Sequence, residues 1–271
     1  MGAIELLREG NVAATLAQLQ KDVRAEPANP GHRTFLFQLS AVTGDWGRAA
    51  AQLEVAGKLD PKSLPMVQTY RAALECEALR RVVFAGEKMP LLFGDPQEWV
   101  ALMFDALRLS GSGRHKEAQQ IRDGALERAP ASAGKIGDVG FEWLADCDSR
   151  LGPMCEAIVN GKYYWIPFQR MQKIEFDAPT DLRDAVWMPA SITFANGGQT
   201  VALIPTRYPG SESSGDDRIR LARKTDWNQP ADNVFSGIGQ RMFATDQGEY
   251  PMMDVRVIEI FQASAGIGTQ G

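Results

Sequence analysis

The sequence predicts two joined units: a right-handed superhelix of α-helical repeats, then a smaller, mainly antiparallel β domain. Three observations carry this reading. A helical pattern recurs at a period of about 34 residues through the first half. From Gly161 it gives way to aromatic and β-branched runs of period two, separated by turn residues. The charge changes as well, from 17 Lys and Arg against 16 Asp and Glu up to residue 135 to 12 against 18 beyond it.

The repeat is clearest from Gly44 to Pro61, where Trp46, Ala49, Leu53, Ala56 and Pro61 follow one another at intervals of 3, 4, 3 and 5. That is the second-helix pattern of a tetratricopeptide repeat: small residues let paired helices approach, and proline ends the helix. One repeat earlier, Val12, Leu19 and Pro27 fall in register, with Thr15 and Asp22 in place of the alanines. Two repeats later His115, Ala118, Ala125 and Pro130 do so, with Arg122 in place of the leucine. Partner helices are expected over 32–42, over 65–84 with Pro65 in the first turn, and from Gly94-Asp95-Pro96 to Leu109. The Gly/Ser-rich turn 110–113 precedes the last copy, for about seven helices in all.

The second unit reads as a curved sheet or open barrel of about five to seven strands. Candidates are Tyr163–Phe168, Met171–Phe176, a hairpin from Val186–Phe194 through Asn196-Gly197-Gly198 to Thr200–Ile204, then Arg220–Trp227, Gln240–Thr245 and Met253–Ile260. A helix over Pro153–Asn160 is expected to bridge the halves. The expected division is therefore 1–132 helical repeats, 133–160 a connector with a helix, 161–262 the β-rich domain, and 263–271 a disordered tail.

Composition narrows the function. At 271 residues, with 44% hydrophobic and 23% charged residues, the chain is globular and long enough for about two domains. Its longest apolar run is the six residues Trp99–Phe104, far short of the ~20 of a membrane span. The opening Met1-Gly2-Ala3-Ile4-Glu5-Leu6 is expected to be neither a secretory leader nor a myristoylation signal. A net charge of −5 argues against nucleic acid as a partner. Three cysteines and two histidines without zinc spacing suit a reducing cytosol and no metal.

Candidate chemistry is sparse. Gly134, Gly137 and Gly140 lack the Gly-Lys-Ser/Thr ending of a phosphate loop, and no Gly-x-Ser-x-Gly elbow is present. His115 holds a repeat packing position. Asp146-Cys147-Asp148 lacks a third ligand for a divalent ion, and Asp148 is expected to cap a helix. One loop and its neighbours, Arg207, Tyr208, Glu212, Arg241, Asp246 and Glu249, could form a polar pocket; the favoured alternative is that Arg207 and Arg241 pair with nearby acids to brace loops. In the repeat phase set by Trp46, the inward positions of the first helices are Thr34, Gln38 and Ala41, then Gln68, Ala72 and Glu75. These mostly small or neutral residues suit a groove for an amphipathic helix rather than a clamp for a carboxylate tail.

Several phrases go beyond a repeat signature: Ala3–Gly10, Phe35-Leu36-Phe37-Gln38-Leu39, Asp146–Pro153, Asn160–Pro167, Leu203–Glu212 and Gly239–Arg256. On these the chain resembles the ImpE/TagJ (SciE) family of type VI secretion accessory proteins, over nearly its whole length. The resemblance implies a cytoplasmic, virulence-associated adaptor that is not an enzyme and carries no cofactor. It also implies the partners: the amino-terminal helix of the small contractile-sheath subunit, and a ClpV-type AAA+ unfoldase. The alternative is a small-molecule-binding or enzymatic β domain with the repeats as a docking arm. The two part on whether Arg207, Tyr208, Arg241 and Asp246 converge on an open cleft.

Overall fold

The computed structural model describes residues 2–231 and 234–262; the tail 263–271, expected to be disordered, lies outside the described residues. Seven helices occupy the first part: α1 (Ala3–Arg8), α2 (Val12–Ala25), α3 (Pro30–Val42), α4 (Trp46–Leu59), α5 (Leu64–Phe84), α6 (Glu98–Gly111) and α7 (His115–Arg128). Side-chain oxygens of Asn11, Asn29 and Asp45 accept from backbone N–H groups in the first turns of α2, α3 and α4, satisfying donors that a helix start leaves open. Two equivalent positions are buried in all three copies, Thr15 and Leu19 in α2, Ala49 and Leu53 in α4, and Ala118 and Arg122 in α7; at the third, Ala56 and Ala125 are buried and Asp22 is half-buried.

Close helix approach is set by Gly111, where a Cβ would lie 1.9 Å from the carbonyl oxygen of Ala85, just past the end of α5. A Gly111→Ala substitution must push these backbones apart. We expect a loss of about 2–3 kcal/mol in urea unfolding; an unchanged midpoint would contradict the close approach.

Strands begin with a short β1 (Leu91–Leu92), inserted between α5 and α6. After α7 come β2 (Gly134–Ile136), β3 (Val139–Phe141), β4 (Leu144–Asp146), β5 (Met154–Val159), β6 (Lys162–Pro167), β7 (Met171–Phe176), β8 (Trp187–Phe194) and β9 (Gln199–Pro205). A four-residue helix, α8 (Asp217–Arg220), precedes β10 (Thr225–Ala231), β11 (Val234–Gly239), β12 (Met242–Thr245), β13 (Gly248–Pro251) and β14 (Val257–Ile260). The main sheet has nine strands in the order β1-β6-β5-β9-β8-β7-β14-β2-β3; only its β1–β6 pairing is parallel. A three-stranded sheet β13-β12-β4 and the β10–β11 hairpin complete the fold. The chain is thus a helical region followed by a mostly antiparallel sheet domain.

Two expectations are corrected here. Pro153–Asn160 is not a helix: Met154–Val159 is a central strand, buried at every position because both faces of the sheet are covered. A short apolar run buried on both sides has neither helical nor alternating periodicity, so the pattern alone does not settle its state. The strand count also exceeds five to seven: residues 161–262 hold the nine strands β6–β14, with β11 and β13 beyond the candidates, and β2, β3, β4 and β5 fill what was read as the connector and its helix.

The main sheet has two dissimilar faces. Cys155, Ala157, Val159, Met188, Ala190, Ile192, Ala202 and Ile204 face a core that belongs to the β region alone, closed by Phe243, Met252 and Val255. Ile158, Tyr163, Trp165, Trp187 and Leu203 face the helices and share one core with Phe37, Tyr70, Leu74, Phe84 and Phe104. Aromatic pairs stitch the two regions together: Tyr70 with Trp187, Trp46 with Trp187, and Phe84 and Phe104 with Trp165, at centroid distances of 5.3–6.2 Å.

Candidate functional site

The feature that positions everything else is α5, which crosses the helix-facing side of the sheet. Its Glu77 and Arg80, three residues apart, lie on one helix face and enter a fully buried ionic seam. Arg80 forks onto Glu156 of β5, with Nε–Oε2 and Nη2–Oε1 distances of 2.7 Å, and Nη2 also donates to the Arg207 carbonyl at 2.6 Å. Arg241 donates to the same Glu156, to Asp146 Oδ2 at 2.5 Å and to the Pro205 carbonyl at 2.9 Å. Tyr163 donates to Glu156 at 2.5 Å and accepts from the Trp165 indole; the Trp187 indole donates to Glu77 at 2.8 Å. Such a seam is tolerated inside a protein when its members satisfy one another.

The protonation states follow from this crowding. Burial pushes Glu156 up, but Arg80 and Arg241 outweigh it and hold the carboxyl at about 2. Burial raises Asp146 to about 6 against the pull of Arg241. It also raises Glu77, despite Arg80 beside it. For Arg80 and Arg241 burial disfavours the charge, yet the carboxylates around them keep both well above the ordinary arginine value. Glu156 is therefore the anion on which the two guanidinium cations depend.

Beside this seam the helices stop short of covering the sheet. The uncovered part is a cleft of about 600 Å³ between Gln68, Thr69 and Ala72 of α5 and Pro189, Ser191 and Val201 of β8 and β9. Its inner end is the β5–β6 turn, where Asn160 and Gly161 have φ of +49° and +72°, the left-handed pair that a two-residue hairpin requires. The Gly161 carbonyl accepts from Cys76 Sγ at 3.6 Å, fixing turn to helix. Val201 stands 75% exposed on the floor, an apolar residue on a sheet face that is covered elsewhere.

The expected groove residues divide three ways. Gln68 and Ala72 line this cleft together. Glu75 points the other way, into a crevice of about 380 Å³ between α4 and α5 with Trp46, Glu54 and Arg71. Gln38 and Ala41 do not face an open groove: they are 7% and 1% exposed, and Thr34 is half-buried. The reason is that the end of α3 is covered by the chain's own β region. Arg207 Nη1 donates to the Val42 carbonyl at 2.8 Å and Nη2 to the Ala41 carbonyl at 3.3 Å.

The expected polar pocket is not gathered into one cleft either. Arg207, Tyr208 and Arg241 are buried and satisfied. Arg207 spends its donors on carbonyls, including that of Arg220 at 2.5 Å, and burial lowers it to about 10. Tyr208 donates to Asp146 at 3.0 Å. Asp246 and Glu249 are exposed at a turn, where Asp246 accepts from the Glu142 N–H. Glu212 packs over the α3–α4 turn, against Gly44. Nor does Asp148 cap a helix: its carboxylate takes the Gly237 N–H at 2.9 Å and the Arg150 guanidinium, organising the turn before β5.

Glu77, Arg80 and Glu156 escaped the sequence reading. One signal was present: a lone carboxylate in the apolar run Met154–Val159, which a buried strand tolerates only when partnered. Val201, Pro189 and Ser191 carry no such mark.

The ImpE protein family model matches residues 138–259, the stretch that holds β4, β5 and most of the seam. Over 261 residues the chain is 50% identical to the type VI secretion system accessory component TagJ of Pseudomonas aeruginosa, covering 96% of this chain and 91% of that protein. The crystal structure of protein VPA1032 from Vibrio parahaemolyticus shares the fold, with a TM-score of 0.87 at 24% identity over 97% of this chain and 98% of that one. With half of its residues identical to one such relative over 96% of its length, and the family model matching within it, this chain belongs to the ImpE family of type VI secretion accessory proteins.

Proposed function

We propose that the chain is a non-enzymatic cytoplasmic adaptor of a type VI secretion system. In this reading it grips the amino-terminal helix of the small contractile-sheath subunit and links it to a ClpV-type AAA+ unfoldase. One observation carries the binding role: the open, largely apolar cleft between α5 and the β8–β9 face, where Val201 waits uncovered at the floor. An amphipathic helix laid there would bury an apolar stripe against the sheet. The tetratricopeptide-like pairing of helices, with two equivalent positions buried in three copies, supports a scaffold that holds α5 at a fixed height over the sheet. The relative's name, an accessory component, supports a role without turnover, as does the internal satisfaction of Arg207, Tyr208 and Arg241. No described helix is long and apolar enough to cross a membrane.

The test is direct. Val201→Asp on the sheet wall and Ala72→Arg on the helix wall should each weaken binding of a sheath-subunit amino-terminal peptide at least about tenfold, the loss of one central apolar contact. Melting temperatures should hardly move for Val201→Asp. Unchanged affinity in both variants, measured by fluorescence anisotropy, would remove the cleft from this role.

A further inference from the structure

A second face, which shares no lining residue with the cleft, breaks a rule of the fold without visible compensation. At the repeat position where α4 carries Leu53 and α2 carries Leu19, α7 carries Arg122, and this arginine is 1% exposed. Arg80 and Arg241 reach carboxylates, and Arg207 reaches three carbonyls. Arg122 reaches two neutral side chains, Gln119 Oε1 at 2.9 Å and Ser110 Oγ at 3.3 Å, and its Nε has no partner among the described residues. A guanidinium has five N–H donors, so the larger part of this one is unspent. No carboxylate lies within ion-pair distance of it among the described residues, although Asp123 and Asp148 are near enough to be felt. Burial pushes its pKa below the ordinary arginine value, the sign of a cation held in place without a counter-ion.

Arg122 lies in the wall of a crevice of about 340 Å³, with Gln119, Trp143, Ser149 and Glu249 around it and Leu126 one turn along α7. Trp143 and Leu126 are 41% and 44% exposed. Phe235, also exposed, adjoins the rim through hydrogen bonds between its backbone and Ser149. An exposed aromatic and aliphatic rim around a buried, uncompensated cation is what an interface with a desolvated anchor looks like before the partner arrives. Local rules broken without compensation are expected at functional positions.

We propose that this crevice docks a segment of a partner protein that presents one aspartate or glutamate beside an apolar side chain. The carboxylate takes the open donors of Arg122, and the apolar group packs on Trp143 and Leu126. Glu249 on the rim and Asp146 in the wall set the specificity: a single carboxylate is accepted, while a run of acids or a phosphate is repelled. The adaptor then has two docking faces, one apolar at the α5–sheet cleft and one charge-selective at α7, as a linker between two proteins needs. This site does not depend on the occupant proposed for the cleft.

The test uses the full chain. A random dodecapeptide display library is selected on the wild-type protein and counter-selected on Arg122→Met, and individual peptides are measured by anisotropy. Enriched peptides should carry one Asp or Glu next to Leu, Ile, Phe or Trp. Changing that acid to its amide should weaken wild-type binding about tenfold or more and leave binding to Arg122→Met unaltered, because a charge-assisted bond to a desolvated partner is lost only where the arginine exists. Trp143→Ser, a surface change, should also weaken the same peptides, and it carries the test together with the amide peptides if Arg122→Met does not fold. Equal binding of acid and amide peptides, or failure to enrich acidic peptides over the counter-selected pool, overturns the proposal. So does a dimer of this chain that Trp143→Ser dissolves, since the face would then belong to a second copy.

Discussion

Glu156→Ala is expected to lower stability by about 5 kcal/mol, the cost of leaving buried charges without their counter-ion, and the melting temperature by about 10–20 °C for a chain of this size. The reason is the asymmetry of the seam. One carboxylate serves Arg80, Arg241 and Tyr163; without it Arg80 keeps only Glu77, at 3.5 Å, and Arg241 only Asp146 as counter-ion, both at buried positions. The pH dependence identifies the cause. Glu156 is held at about 2 in the fold against an ordinary 4.5, so its stabilisation is complete above about pH 4.5 and is lost as pH falls from there toward 2. Asp146, raised to about 6 from 3.8, acts in the opposite sense: its contribution is present below about 3.8 and lost as pH rises through 6. The gap between wild type and Glu156→Ala should therefore narrow as pH falls below 4.5. Urea titrations at several pH values measure it; a gap under about 1 kcal/mol at pH 7 would show that the seam is not braced by this residue. Breaking the exposed Arg114–Glu117 pair by Arg114→Ala should leave the melting temperature unchanged.

The second large effect concerns the division of the chain. Residues 1–132 expressed alone are expected not to melt cooperatively. Separation would uncover Phe37, Tyr70, Phe84 and Phe104, which complete their core with Tyr163, Trp165, Trp187 and Leu203, and would leave Glu77 and Arg80 without Trp187 and Glu156. A helical unit that has lost one side of its core retains helix without fixed packing. Far-UV and near-UV circular dichroism of the fragment, with dye binding to exposed apolar surface, measures this. A sharp transition within a few degrees of the full chain would instead make the helical unit an independent domain. Chromatography of 1–132 mixed with 133–262 adds a second reading, since the halves should associate through the shared face.

How much of this was legible in the residues depends on whether a feature is local. The Ala-Leu-Ala face of α4 and the Asn-Gly-Gly turn at 196–198 act within a few positions of themselves, and each was readable; the Asn160-Gly161 turn was hidden by the helix expected over Pro153–Asn160. The strand Met154–Val159 was not, because burial on both faces erases the period on which the reading depends. Gln38 and Ala41 were placed on an open groove by a sound repeat phase; that phase describes a stack standing alone, and here the β region covers the end of α3. Arg207 and Arg241 looked like pocket residues because charge beside a turn is ambiguous until its partners are known, and those partners are 13 to 166 residues away.

By itself, then, the sequence determined the helical region, the change to strands, the hairpin turn at 196–198 and, through its phrases, the family. The tertiary structure decided which faces remain open. Only when α5 lies across β5 and β6 do Arg80, Glu156, Arg241 and Asp146 become one seam, and only the limit of the helical cover exposes Val201 and leaves Arg122 without a counter-ion. The physical reason is that desolvation and ion pairing depend on distance in space and on what excludes water, and neither is fixed by spacing along the chain.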